Sequence, residues 1–227
     1  MTEAHRSSGA PNIPPLIRKI YRFFFPPVTE YIKKELAGCE TVLDLGCGWG
    51  SNSPLEGMPL SYTLGVDIFE PYLKECRLKQ LHSDYIRADI REVEFKDSSF
   101  DAVLMLEVLE HFNKEEGRRL LDKCARWARR KVIISTPNGY IRLDEFDDNP
   151  FQKHISGWSL EELRHLGFSI TGLLGWKKLR GTRALPRYRP ALLWEVISDL
   201  TQTVTYHYPG LASRLLAVKI QNKGHRV

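Results

Sequence analysis

VLDLGCGWGSNS, residues 42–53, is the stretch on which the fold turns. Together with Glu40 and Thr41, its first half makes a short apolar run ending in glycine, which reads as a buried strand. Gly46, Gly48 and Gly50 follow at once, each separated by a single residue. Glycines in that place let the backbone turn sharply and approach a ligand closely. A dinucleotide loop wants G-x-G-x-x-G, whose third glycine would fall where this chain has Ser51. A pyrophosphate also wants a helix N-terminus behind the loop, and Pro54 and Pro59 leave room for little more than a turn. The loop therefore speaks against an NAD-dependent dehydrogenase and for a ligand lacking pyrophosphate.

Outward from the loop, strands and helices alternate. SYTLGVD (61–67) is a second strand, and Pro71 opens a helix to about Leu81 that buries Leu73, Cys76 and Leu78 or Leu81. DYIRAD (84–89) is a third strand, and FDAVLML (100–106) a fourth, apolar on both faces as a central parallel strand is. Asn113 with Glu116, and Ser159 with Glu162, are capping boxes that start two further helices. KVIIST (131–136) lies between those helices as a fifth strand, and FSITGLLGW (168–176) and LLAVKIQ (215–221) are two late ones. Upstream, VTEYIKKEL (28–36) reads as a helix with Val28, Tyr31, Ile32 and Leu36 inward. The order predicts an α/β fold, a doubly wound sheet with helices on both faces. Ligands in such sheets bind beyond the carboxyl ends of the strands, after Leu45, Val66, Ala88, Leu106 and Thr136 here.

The chain has 227 residues, 42% of them hydrophobic, enough for one domain with its own core. Residues 1–15 read as a disordered tail and 16–227 as a single domain, with a lid or insert over 181–212. The net charge of +5 excludes a polybasic protein but permits a local basic patch. Four cysteines show no CxxC or Cys/His finger spacing, which argues against zinc modules and disulfide scaffolds and for a reduced, cytoplasmic setting. The start has no apolar signal region, and no apolar run reaches the roughly 18 residues of a spanning helix. LIRKIYRFFFPP (16–27) is amphipathic: Leu16, Ile17, Ile20, Phe23 and Phe24 share one helical face, opposite Arg18, Lys19 and Arg22. It reads as a helix packed on the core or as a peripheral membrane contact.

Acidic residues end the neighbouring strands. Asp67, in GVDIFEP, can accept hydrogen bonds from both hydroxyls of a ribose, and Asp89, in RADI, can accept from an adenine amino group. VLDLGCGWG, GVDIFEP, RADI, SFDAVLMLEVLEHF and VIISTPNG, in that order, resemble the motif series of class I S-adenosylmethionine-dependent methyltransferases over about residues 28–180. The resemblance implies a Rossmann-like sheet of about seven strands, mostly parallel, with an antiparallel last pair. It implies that Asp44 and the backbone of Gly46, Cys47, Gly48 and Gly50 face the methionine end of S-adenosyl-L-methionine. Asp67 would hold the ribose with Ile68 against the adenine, Asp89 and the Ile90 amide would read the adenine edge, and Leu106 and Glu107 would lie near the transferred methyl. The segment after the loop departs from the family in being short and broken by proline.

Methyl transfer from a sulfonium needs mainly proximity and alignment. An oxygen acceptor also needs a base or a metal ion. Glu107, Glu110 and His111 would share one face of a helical turn, and His154 lies in a loop over the same end of the sheet. E-x-x-E-H with a downstream His resembles two branches of the superfamily, the small-RNA 2′-O-methyltransferases and some quinone O-methyltransferases. His111, His154 and Glu107 are thus catalytic candidates, and Glu107, Glu110, His111 and His154 are candidate ligands of Mg2+. GWKKLRGTRALPRYRP (175–190) interleaves basic and aromatic residues, as RNA- or phosphate-binding segments do. The sequence is read as a methyltransferase acting on an oxygen of a small, lipid-linked or glycan acceptor. RNA ribose methylation and a non-catalytic cofactor-binding protein are the alternatives.

Overall fold

The computed structural model describes residues 15–50, 53–144 and 148–221, so the tail expected over 1–15 lies outside it except for Pro15. Seven strands form one sheet: β1 (Thr41–Leu45), β2 (Tyr62–Asp67), β3 (Asp84–Arg87), β4 (Phe100–Leu106), β5 (Ala128–Pro137), β6 (Ser169–Trp176) and β7 (Ala212–Ile220). Their spatial order is β3-β2-β1-β4-β5-β7-β6. Neighbours from β3 through β5 run parallel, and β7 is antiparallel to both β5 and β6. The order reverses between β1 and β4, which makes the crevice at their carboxyl ends the topological switch point.

The strand period of two explains how the layers assemble. Leu43, Leu45, Val103 and Met105 join a core with Leu120 and Trp127 of α4 (Lys114–Trp127) and Leu160 and Leu163 of α5 (Leu160–His165). Val42, Ala102 and Leu104 point the other way, onto Ile32 and Leu36 of the segment carrying α2 (Val28–Glu35). Both capping boxes are formed: Glu116 N donates to Asn113 Oδ1 at 2.9 Å, and Glu162 N donates to Ser159 Oγ at 3.2 Å. Each satisfies helix donors that would otherwise lack partners.

α3 differs from the sequence reading. It spans Glu70–Leu78, and Tyr72 is buried with Leu73 and Cys76 while Leu78 is 84% exposed. Tyr72 packs edge-on against Trp49 of the glycine loop and against Phe69, with centroids 4.6 and 4.9 Å away. This aromatic wedge sets the inward face of the helix. Between the glycine loop and β2 the described residues form turns, as the proline-broken segment implied. The remaining helices are α1 (Pro15–Phe24), α6 (Ala191–Leu200) and α7 (Gln202–His207). α6 and α7 run along β6, where the side chain of Gln202 accepts from Gly175 N and donates to Gly172 O, each at 2.9 Å. Among the described residues no helix is long and apolar enough to cross a membrane.

Candidate active site

The chain leaves β1 through Gly46 and Gly48, with φ of +73° and +57°. Side chains rarely adopt that region, so glycine is favoured on backbone grounds alone. A Cβ on Gly46 would lie 2.4 Å from Val108 Cγ2, whereas one on Gly48 would meet nothing within 4 Å. Gly48 thus presents bare backbone to open space. Gly46 N donates to Val66 O at 2.7 Å, tying the loop to the end of β2. The Asp67 carboxylate accepts from Gly48 N at 2.9 Å and from Phe69 N at 2.8 Å. Burial raises its pKa against these hydrogen bonds. Two donors leave lone pairs on both oxygens for further partners.

Beneath the loop is a buried polar chain that no sequence pattern marked. Asp44 Oδ2 lies 3.0 Å from His82 Nε2, and His82 Nδ1 lies 3.6 Å from Cys76 Sγ. Burial opposes charge on His82, but hydrogen bonds to Asp44 and Cys76 outweigh it and raise its pKa to about 9. The Cys47 thiol donates toward Cys76, which pushes Cys47 up and draws Cys76 down to about 6. Asp44 is therefore engaged below the loop. Its open side lines a hollow of about 740 Å3 beside α2 together with Leu106 and Glu107.

Two further hollows meet at the glycine loop. One, of about 250 Å3, is lined by Asp67, Ile68, Asp89 and Ile90 with Gly46 and Gly48. Asp89 is held there by Arg91, whose Nη2 donates to Oδ2 at 2.6 Å, and that hydrogen bond lowers its pKa. The other, of about 400 Å3, adjoins Gly46, Cys47, Gly48 and Gly50 and is lined by Leu106, Glu107, Glu110, His111 and His154. Ile141, Leu143 and Gln152 also line it, and the described residues 139–144 and 148–154 that carry them cover this end of the sheet.

The acidic and imidazole groups divide into two sets, which corrects the four-residue metal set drawn from sequence. Glu107 sits at φ +57° just past β4 and is not on a helical face with Glu110 and His111. Its Oε1 accepts from Ser135 Oγ at 2.8 Å, and its Oε2 pairs with Arg214 at 2.7 Å. Glu110, His111 and His154 form the other set, with one ligand atom of each within 4.8 Å of the others. Glu110 accepts from Thr136 Oγ1 at 3.1 Å, while its buried Oε1 has no partner among the described residues. Burial, then the charge of Glu107, lifts its pKa well above the usual carboxylate range. Burial pushes the pKa of His111 down.

Backbone carbonyls fix both imidazole tautomers. His111 Nδ1 lies 3.0 Å from Lys153 O, and His154 Nδ1 lies 2.7 Å from Ile141 O. A carbonyl only accepts, so each Nδ1 carries its proton and each neutral ring keeps a lone pair on Nε2. The rings stand 5.0 Å apart at 69°. Arg214, in β7, is the functional neighbour that sequence reasoning missed, since a lone arginine in a late strand carries no pattern. In the basic stretch, Arg180 is buried and pairs with Asp199 at 2.7 Å, so it serves the packing of α6. Trp158 is fully buried and belongs to the core.

Comparison with known proteins yields consistent matches. Residues 43–135 match the family model described as a methyltransferase domain. An uncharacterised protein of Methanocaldococcus jannaschii is 32% identical over 134 residues, 57% of this chain and 55% of that one. A ubiquinone biosynthesis O-methyltransferase of Hahella chejuensis is 37% identical over 93 residues, 39% of this chain and 38% of that one. The chain thus spans little more than half of the first relative and well under half of the second. A crystal structure of an S-adenosylmethionine-dependent methyltransferase from Archaeoglobus fulgidus superposes with a TM-score of 0.52 at 21% identity, covering 89% of this chain and 99% of that one.

Proposed function

We propose that the chain is a class I S-adenosylmethionine-dependent methyltransferase, as the methyltransferase-domain match over residues 43–135 supports, and that it transfers a methyl group to an oxygen of a small acceptor. The observation that carries this reading is the pair of Nε2 lone pairs on His111 and His154, in a hollow that shares the glycine cradle with Asp67 and Asp89. The cradle suits an adenosyl ligand. Gly48 leaves its backbone open, Asp67 has lone pairs for two ribose hydroxyls, and Ile68 and Ile90 offer apolar walls. S-adenosyl-L-methionine, when bound, supplies a methyl group already activated for displacement.

The chain's own groups then have separate tasks. The glycine loop and Asp67 orient the donor, and the covering loop excludes water from the acceptor hollow. His111, kept neutral by burial, takes the acceptor hydroxyl proton at Nε2, with His154 as the neighbouring acceptor of that proton. Glu107, fixed between Ser135 and Arg214, holds the floor at the end of β4.

A metal-assisted variant is favoured by one observation, the partnerless buried Oε1 of Glu110. Glu110, His111 and His154 would hold the ion, and the two Nδ1–H···O=C bonds would orient the imidazole ligands. One carboxylate and two imidazoles suit a transition-series divalent ion better than Mg2+, which prefers oxygen. The ion would lower the pKa of an acceptor hydroxyl. A ribose hydroxyl of RNA could use the same trio, but with Arg180 drawn into the core a small acceptor is the better match.

Calorimetry with S-adenosylhomocysteine, followed by methyl transfer to a panel of phenols, catechols, sugars and RNA ends with and without chelator, tests this reading. His111→Ala and His154→Ala should lower turnover by about 10²-fold or more with cofactor affinity retained. Absence of S-adenosylhomocysteine binding would refute the methyltransferase reading. Turnover unchanged in both variants would remove the histidines from the chemistry. Binding without turnover on any acceptor would favour a non-catalytic cofactor-binding protein.

A further inference from the structure

The amphipathic segment anticipated from sequence is α1, and among its described apolar side chains Leu16, Phe23 and Phe24 are not packed on the core. Leu16, Phe23 and Phe24 are 67–80% exposed; the side chains of Ile17 and Ile20 lie outside the described set. α1 meets α6 through Tyr21, whose hydroxyl donates to Asp199, while the Phe25 ring just past α1 lies 4.9 Å from that of Tyr21. α6 repeats the arrangement. Ser198 is buried, Asp199 faces Tyr21 and Arg180, and Glu195 lines a small hollow that α6 shares with Phe25, Pro26 and Pro27 just past α1. Leu192, Leu193 and Leu200 are left exposed on the side that the helical period sets away from Ser198. Two adjoining helices thus turn apolar side chains to solvent, an arrangement that a monomer rarely leaves uncovered.

Charge indicates what covers this surface. α1 contains no acid, and both acids of α6 are turned inward. Lys19 and Arg22 on α1, and Arg187 and Arg189 just before α6, are exposed, and among the described residues none is ion-paired. Tyr188 packs on Trp194 with ring centroids 4.9 Å apart, adding an aromatic pair beside the basic flank. Apolar and aromatic side chains bordered by cations and free of outward acids fit the headgroup zone of an anionic bilayer.

We propose that α1 and α6 together form a face that docks on an anionic lipid bilayer. This surface does not depend on methyl transfer. On the reading of the preceding section it gains a further meaning, since the hollow beside α2 is lined by Arg22 and also by Leu106 and Glu107, which it shares with the acceptor hollow. A lipid-borne acceptor would then reach the site from the docked face.

Co-sedimentation of the full chain with phosphatidylcholine vesicles, with and without phosphatidylglycerol, tests the proposal. Binding should require the anionic lipid and weaken with salt. Phe23→Ser/Phe24→Ser and Leu193→Ser/Leu200→Ser should each lower partitioning by about tenfold or more. Arg187→Glu/Arg189→Glu should lower it at least as much, at about fivefold per charge. S-adenosylhomocysteine binding, measured in parallel, should be unchanged in all three and so reports the fold and the cofactor site independently. The proposal is overturned if wild type and variants partition alike, or if RNA binds where vesicles do not. It is equally overturned if sedimentation velocity shows a dimer that the apolar variants split, since a second copy would then cover the face.

Discussion

Replacing Gly48 with alanine separates the cradle from the frame that supports it. Gly48 sits at φ +57°, and an added Cβ meets nothing within 4 Å. The folded protein therefore bears only the backbone penalty of a left-handed residue, about 1–2 kcal/mol. For a chain of this length that corresponds to a Tm lower by about 2–4 °C per kcal/mol. The methyl group would project into the space where backbone and ligand are to touch. Overpacking there costs about 1–3 kcal/mol, or about 5- to 150-fold in affinity. Gly46→Ala provides the contrast, because its Cβ would lie 2.4 Å from Val108 Cγ2 and so strain the frame itself. Urea denaturation and calorimetry with S-adenosylhomocysteine measure the two quantities separately. The expected pattern is a modest stability loss with a marked affinity loss at Gly48, and a larger stability loss at Gly46. Unchanged affinity in a folded Gly48→Ala protein would show that no ligand rests on that backbone.

Three other substitutions probe different parts of the same frame. His82 has a folded pKa of about 9, above its ordinary value of 6.5, because Asp44 and Cys76 outweigh the effect of burial. Taken alone, its stabilisation is complete below 6.5 and fades as pH rises through about 9, but Cys76, drawn down to about 6 from an ordinary 9, contributes an opposite gain over the same window. Urea midpoints of the wild type should therefore change little between pH 6.5 and 9, and Cys76→Ala should uncover a decline with rising pH. Arg214→Met leaves one oxygen of Glu107 without its partner at 2.7 Å. It should cost about 1–2 kcal/mol and reduce turnover more than cofactor affinity, and unaltered turnover would exclude Glu107 and Arg214 from the acceptor site. Gly117→Ala would bring a Cβ to 2.6 Å from Trp158 Cζ2, and thermal denaturation should register a loss of about 1–3 kcal/mol.

The frame was legible in the sequence wherever a single local rule governed it. The alternation of β1 and β4, the two capping boxes and the glycines after Leu45 each follow from strand period, helix-end chemistry or backbone strain, and each has its expected place. The positions of Asp67 and Asp89 beside the loop were legible because strand ends in a parallel sheet share one edge. What was not legible depends on pairs distant in the chain. Glu107 could not be assigned from the E-x-x-E-H spacing because Ser135 and Arg214 decide where it points. His82 was invisible because its partners, Asp44 and Cys76, come from two other elements. Of the two alternatives for the end of α3, Leu81 lies half-buried against Gly50 and Leu78 is exposed, a choice the helical period alone could not make because contacts with the glycine loop decide it.

The position of β7 has a consequence for how the protein is made. It is the last strand among the described residues, yet it lies between β5 and β6 and supplies Arg214 to Glu107. During synthesis β6 has no neighbour to pair with until β7 leaves the ribosome. Until then the edge of β5 stays open, and the crevice lacks a counter-charge. The crevice end of the sheet thus reaches its working form only once the stretch from Ala212 to Ile220 has been made, and that stretch closes the sheet and supplies the counter-charge in one step.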